Sequence, residues 1–314
     1  MKLRVFIPLL SLLGVFSFFA FKYYQLETNK PISAVARLET GINGTFINFP
    51  WSSNLWFPSP GSTDIKLPKP NISGKSAFVV DLKIGKVLFA KNEHEPAPIA
   101  STVKILTAGV ALERKKSSDI FMVSDNATKI GEDFMGISAG EKLTLEELLY
   151  GLLLPSGNDA AEAIVEGVSG SRADFVTLMN EKAKLLGANN SKFVNPSGLE
   201  GDGEHFSTAY DLTLISRWVW TSFPLFREIV GTKYFELPYS ENHKYFYLEN
   251  QTNLLGTYPG VKGIKPGYTP EAGLCLVTLA ERDGHEILGV VLGSQDRRGD
   301  MEKLLNYSFS TLGI

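Results

Sequence analysis

Three short stretches carry residues whose types and spacing suit acyl transfer. The first, Ser101-Thr102-Val103-Lys104, sets a hydroxyl and an amine three residues apart. On a helix, that spacing puts both on one face. A serine hydroxyl is a weak nucleophile until a base takes its proton. A lysine amine can do so once burial and nearby positive charge lower its pKa. A helix N-terminus adds a positive field where charge develops on the attacked centre. By itself the tetrapeptide reads more readily as an N-cap serine beside a solvated lysine.

The second stretch, Ser156-Gly157-Asn158, falls at a break between two helical patterns. A loop there can present a hydroxyl that relays a proton and an amide that holds a lysine or a substrate carbonyl. The third, Lys265-Pro266-Gly267, opens an apolar strand. Its lysine offers positive charge to a carboxylate, and its glycine lets another backbone lie close. Each of these also fits an ordinary turn. Their joint occurrence, in the order S-x-x-K, S-x-N, K-x-G, is far more specific than any one alone.

The elements needed to hold these residues are legible around them. "SAFVVDL" and "KVLFAKN", joined by Lys83-Ile84-Gly85, read as a β-hairpin. "STVKILTAGVALERK" has apolar residues at helical spacing. "TLEELLYGLLLPSGNDAAEAIVEGV" reads as two helices interrupted near Pro155, the first with a capping box at Thr144 and Glu147. "RADFVTLMNEKAKLLGA", "STAYDLTLISRWVW" and "DMEKLLNYSFSTL" read as further helices. "GLCLVTLAERDGHEILGVVLGS" reads as two strands around Asp283-Gly284. Strands near both ends and helices between them imply an α/β (α+β) fold: an antiparallel sheet flanked by helices, with an inserted helical subdomain. A cleft between two such parts is a common ligand site.

Composition narrows the function classes. The chain has 314 residues, 44% hydrophobic and 21% charged, with net charge −3 and no basic block. That balance suits a globular protein and argues against a nucleic-acid partner. The single cysteine, Cys275, sits in an apolar run and reads as a buried inert thiol. The four histidines show no metal-site spacing, so no metal is expected. His94, His243 and His285 read as surface residues at turns. Residues 1–22 carry Lys2 and Arg4 before an apolar run from Val5 to Phe21. This is a signal peptide or an N-terminal membrane anchor, the anchor being favoured by the poor cleavage site at its end. Residues 23–73 read as a linker or arm, with an aromatic stretch at 46–60 that suits either the membrane interface or packing on the next domain. Residues 74–314 form the catalytic domain in this reading, placed outside the cytoplasm.

From about Lys75 to Gly313 the chain resembles the D-alanyl-D-alanine carboxypeptidases, the low-molecular-mass penicillin-binding proteins. Beyond the three motifs, the resemblance rests on "AKNEHEPAPIASTVKILTA", "GEKLTLEELLYGLLLPSGNDAAEAI", "NPSGL", "HFSTAYDL" and "GIKPGYTPEAG". It implies a β-lactamase/transpeptidase-like fold and a serine peptidase without cofactor. Its substrate would be a peptidoglycan stem peptide, and β-lactams would be covalent inhibitors. It further implies that Ser101 is the nucleophile and Lys104 its general base. Ser156 would relay the proton and Asn158 would orient the lysine. The amides of Ser101 and Tyr268 would form the oxyanion hole. Lys265, Gly267, Thr269 and Arg297 would meet the substrate, with the adjacent Arg298 leaving the register of the arginine open by one residue. His205 would order its loop.

The chain departs from the family where Pro266 replaces a threonine whose hydroxyl meets the substrate carboxylate, and where Tyr210 replaces an arginine. Thr269 could supply a replacement hydroxyl. A D,D-endopeptidase would use the same motifs, and a catalytically weak wall-binding homologue would explain Pro266. A class A β-lactamase is the less favoured reading.

Overall fold

A computed structural model describes residues 56–59 and 67–314. The expected signal or anchor at 1–22, and most of the linker, lie outside the described residues. The fold opens with strands β1 (Ser76–Asp81) and β2 (Val87–Lys91). A 3₁₀ turn at Ala100–Val103 leads into helix α1 (Lys104–Arg114). A two-stranded ribbon of β3 (Ile120–Met122) and β4 (Lys142–Thr144) precedes α2 (Leu145–Leu153), α3 (Asn158–Ser169) and α4 (Arg172–Leu185). Next come α5 (Ala209–Ser222), α6 (Pro224–Gly231) and the hairpin β5 (Tyr234–Leu237) and β6 (Phe246–Glu249). Strands β7 (Val261–Thr269), β8 (Gly273–Arg282) and β9 (His285–Ser294), then helix α7 (Arg297–Leu312), complete the chain.

The main sheet is antiparallel in the order β2-β1-β9-β8-β7, so strands from both ends of the domain meet at the β1–β9 pair. In β1 the two-residue alternation divides the core. Ala77 and Val79 join the apolar cluster under α7, whereas Phe78 and Val80 join the larger cluster with α1 and α5. The helical subdomain inserted between β2 and β7 shares that larger cluster, in which Leu145, Leu148, Leu149 and Ile164 are fully buried. This is the expected architecture.

Local signals are realised closely. Thr144 Oγ1 accepts the Glu147 N–H at 3.2 Å while Glu147 Oε2 accepts the Thr144 N–H at 2.7 Å. Asp283 and Gly284 both adopt positive φ, as a tight hairpin turn requires. Cys275 is buried and its thiol is pushed up to about 11 by burial, which keeps it protonated and unreactive. Of the aromatic arm, Trp56 to Ser59 pack on the domain: Ser59 N–H donates to Gly85 O at 2.8 Å, and Arg217 lies 4.5 Å over the Trp56 ring.

Two histidines differ from expectation. His243 is buried beside Glu147, with Nδ1 2.8 Å from Lys244 O, because the chain folds back onto the start of α2. His285 pairs with the fully buried carboxylate of Asp81, because the β1 and β9 ends meet in register.

Candidate active site

Ser101 lies within the 3₁₀ turn and Lys104 is the first residue of α1, both reached from Ala100 at φ +48°. A residue other than glycine with positive φ is uncommon and strained, and such strain gathers at functional sites. The turn delivers the Lys104 amine to Ser101 Oγ at 2.9 Å. The same Nζ reaches Ser156 Oγ at 3.3 Å, Asn158 Oδ1 at 2.6 Å and Ser197 O at 2.9 Å. Lys104 is wholly buried, and this desolvation lowers its pKa to about 7, against the opposing pull of Asp133, Asp159 and Glu132.

Ser156 occupies the break between α2 and α3, again at positive φ (+69°). Asn158 begins α3 and is held from both sides: its backbone N–H donates to Asp133 O at 2.8 Å, and its Nδ2 donates to Gly131 O at 3.0 Å. The neighbouring Asp159 is buried and accepts the N–H groups of Met135 (2.8 Å), Gly136 (2.8 Å), Ile137 (3.1 Å) and Ala160 (2.8 Å). One carboxylate thereby clamps the 131–137 loop against the Ser156–Asn158 corner. The opposing Ser197 carbonyl comes from the Asn195–Leu199 turn, where Asn195 Oδ1 accepts the Gly198 N–H at 2.7 Å.

Strand β7 forms the other wall. A Cβ on Gly267 would lie 2.9 Å from Ser101 N and 3.1 Å from Thr102 N, so only glycine lets the strand sit against the Ser101 turn. Gly198 is tighter still: its Cβ would fall 2.1 Å from Ala100 O. Lys265 is fully buried, and among the described residues its Nζ has no hydrogen-bond partner. Burial first, then the charges of Lys104 and Arg297, hold its pKa well below the ordinary lysine value, with Asp133 opposing. Arg297 Nη1 donates to Gly267 O at 2.8 Å, whereas Arg298 turns outward to Glu302 at 3.0 Å. Of the two arginines, Arg297 therefore faces the strand.

Pro266 leaves the sheet intact. Its register with Leu276 is unbroken, and β7 is the outermost strand. Such an edge accepts a proline whose nitrogen faces away from the ladder. By the two-residue repeat, the Tyr268 N–H faces the same open edge, while its ring is 61% exposed. The Thr269 hydroxyl accepts the Ala272 N–H at 3.1 Å and bonds the Glu200 carboxylate. Both contacts hold it in the β7–β8 turn.

The structure thus gathers Ser101, Lys104, Ser156 and Asn158 around one nitrogen, and aligns Lys265, Gly267, Tyr268 and Arg297 along the facing strand. His205 stands in the 198–206 loop, its Nδ1 3.3 Å from the Val194 N–H. Two contributors were not singled out from sequence. The Ser197 carbonyl is a backbone group, and only the position of "NPSGL" in the resemblance hinted at it. Asp159 acts through amides 22–24 residues before it, which nothing in its own neighbourhood signals.

Comparison with known proteins identifies the family. A family model described as D-alanyl-D-alanine carboxypeptidase matches residues 63–296. The D-alanyl-D-alanine carboxypeptidase DacF of Bacillus subtilis is 36% identical over 244 residues, a match spanning 75% of this chain and 62% of that protein. DacB2 of Mycobacterium tuberculosis is 35% identical, over 71% of this chain and 75% of its own length. The crystal structure of the Streptomyces K15 DD-transpeptidase superposes with TM-score 0.73 at 31% identity, covering 78% of this chain and 100% of that one. The chain belongs to the D-alanyl-D-alanine carboxypeptidase family of serine peptidases.

Proposed function

We propose that the protein removes the terminal D-alanine from peptidoglycan stem peptides, outside the cytoplasm, through an acyl-enzyme on Ser101. The observation that carries this reading is the buried Lys104 amine, with a pKa near 7, 2.9 Å from the Ser101 hydroxyl. Its hydrogen bonds can be counted. Asn158 Oδ1 and Ser197 O can only accept. A neutral amine gives its two N–H groups to them and keeps its lone pair for a hydroxyl. Ser101 Oγ at 2.9 Å is nearer than Ser156 Oγ at 3.3 Å.

The steps follow from that arrangement. Ser101 Oγ attacks the carbonyl of the penultimate D-alanine while its proton passes to Lys104 Nζ. The N–H groups of Ser101 and Tyr268 receive the oxyanion. Ser156 relays the proton from Lys104 to the departing D-alanine amine as the peptide bond breaks. Water then hydrolyses the ester, and Ser101 regains its proton. The terminal carboxylate supplies the partner that Lys265 Nζ lacks, with Arg297 adding positive charge behind Gly267. β-Lactams present an equivalent carbonyl and carboxylate and would acylate Ser101. Residues 1–22 would hold the enzyme to the membrane or direct its secretion.

Intact-mass spectrometry after incubation with a fluorescent penicillin tests the reading. One adduct is expected, absent from Ser101→Ala, together with release of D-alanine from a D-Ala-D-Ala peptide. No adduct on the wild-type chain would sink it. Pro266 motivates a second reading, a weak wall-binding homologue; D-alanine release at background rates despite acylation would favour that one.

A further inference from the structure

Two rigid peptide planes meet at the Ser156 Cα, and the rotations between them, φ and ψ, aim its side chain. At φ +69°, a strained value for serine, Ser156 Oγ stands 3.3 Å from Lys104 Nζ, the longest of that amine's four contacts. Both planes are anchored. The plane after Ser156 is fixed where the Gly157 N–H donates to Gly151 O at 2.9 Å, near the end of α2. The plane before it is fixed through its carbonyl: Gln251 Nε2 donates to Pro155 O at 2.8 Å, across 96 positions of the chain. The Gln251 backbone N–H also donates to Leu154 O at 3.1 Å. That Leu154–Pro155 plane has no N–H of its own, so its carbonyl is the one polar group by which it can be held.

We propose that Gln251 is a positioning residue for Ser156, holding its hydroxyl in the line of proton transfer from Lys104 to the leaving group. This role rests on the relay assigned to Ser156 above. Gln251 is itself well placed to hold another residue still. The preceding Asn250 Nδ2 donates to Val230 O at 3.1 Å and to Thr232 O at 2.8 Å, and its Oδ1 accepts the Thr252 N–H at 2.9 Å. The β5–β6 hairpin that leads to it is joined to α2 by the Tyr150–Phe235 stack, with ring centroids 3.7 Å apart and planes 7° from parallel. The Gln251 segment and the helix end are thereby tied together.

The side-chain bond is the half of this hold that depends on residue type. Gln251 is exposed, so truncating its amide lets water reach Pro155 O, while the backbone bond to Leu154 remains. The fold should survive such a change, and Ser156 should lose its fixed direction. The step that suffers is the one that needs the relay. When the amide C–N bond of a peptide breaks, the departing nitrogen takes the proton that Ser156 Oγ passes on from Lys104. When the C–S bond of a thioester breaks, the thiolate leaves without a proton, which stays on Lys104.

Two substrates with one acyl part and different leaving groups test this: a D-Ala-D-Ala peptide, and its thioester analogue ending in a mercapto acid instead of D-alanine. In Gln251→Leu, kcat/KM on the amide should fall about five- to tenfold, the scale of one hydrogen bond, and on the thioester less than about twofold. Gln251→Glu, which keeps the length but offers no donor, should match it. Ser156→Ala should show the same selectivity with a larger amide loss. Equal losses on both substrates would mean a lost substrate contact or a general distortion, and overturn the proposal; so does an unchanged amide rate. If Ser156→Ala loses both substrates equally, the relay falls and the role of Gln251 with it. If the wild-type chain cleaves neither substrate and takes no penicillin, the function itself has failed.

Discussion

Lys104 Nζ lies 2.6 Å from Asn158 Oδ1, the shortest of its four contacts. A neutral amide there leaves the lysine free to lose its proton. With a pKa near 7, the acylation rate should rise with pH through neutrality as the base form fills. Asn158→Asp would set a carboxylate against the ammonium and raise that pKa by about 1–3 units. The acidic limb of the penicillin acylation rate should therefore move to higher pH. If the limb stays in place, Lys104 is not the base.

Lys265 presents a fully buried amine with no hydrogen-bond partner among the described residues. Lys265→Met removes that desolvated group while keeping the side chain's volume. The variant should melt at the same or a higher temperature. Its kcat/KM on D-Ala-D-Ala peptides should fall about a hundredfold, as expected when a substrate carboxylate loses a charged partner. A marked loss of thermal stability would show that the amine holds the fold instead.

Pro266→Thr restores a hydroxyl on the cleft edge of β7. A hydrogen bond to a charged group contributes about 1.5–3 kcal/mol, so kcat/KM should rise roughly ten- to a hundredfold. The melting temperature should barely change, since the proline's nitrogen faces away from the ladder. Unchanged turnover in the threonine variant would refute this account of the position.

Asp159 accepts four N–H groups while almost fully buried. Asp159→Ala would leave several buried donors unmatched, at roughly 1–3 kcal/mol each. Calorimetry should show a fall of about 6 °C or more. Acylation should slow as well, because the 131–137 loop braces Asn158. A variant that melts normally would mean that water replaces the carboxylate.

Gly267→Ala tests the narrow gap between β7 and the Ser101 turn, where the added methyl would meet Ser101 N at 2.9 Å. Spreading the two walls would move the Ser101 and Tyr268 amides, the proposed oxyanion donors. Penicillin acylation should drop by about a hundredfold, the scale for removing one such donor.

Much of this arrangement was legible in the chain, and for local reasons. The Thr144–Glu147 box, the Asp283-Gly284 turn and the serine-lysine spacing each depend on neighbours within four residues. The sheet built from both chain ends followed from the order of strand and helix patterns. What escaped depends on distance. The Ser197 carbonyl reaches Lys104 across 93 positions, and any residue type carries a carbonyl. Asp159 reaches back 22–24 residues to amides whose sequence says nothing of it. The β5–β6 hairpin was missed because its outward face is polar and aromatic, with Tyr234 and Tyr247 stacked on the exposed side. His243 looked superficial because burial by a distant helix start has no local signature.

The open edge of β7 has one more consequence. A peptide lying along it becomes a sixth strand of the sheet, recognised by main-chain groups as much as by side chains. An exposed strand edge also invites another protein chain to zip on. Pro266 strikes out one rung of that ladder. It thereby suits the edge to a short guest that needs few rungs, and denies it to a long strand that needs them all.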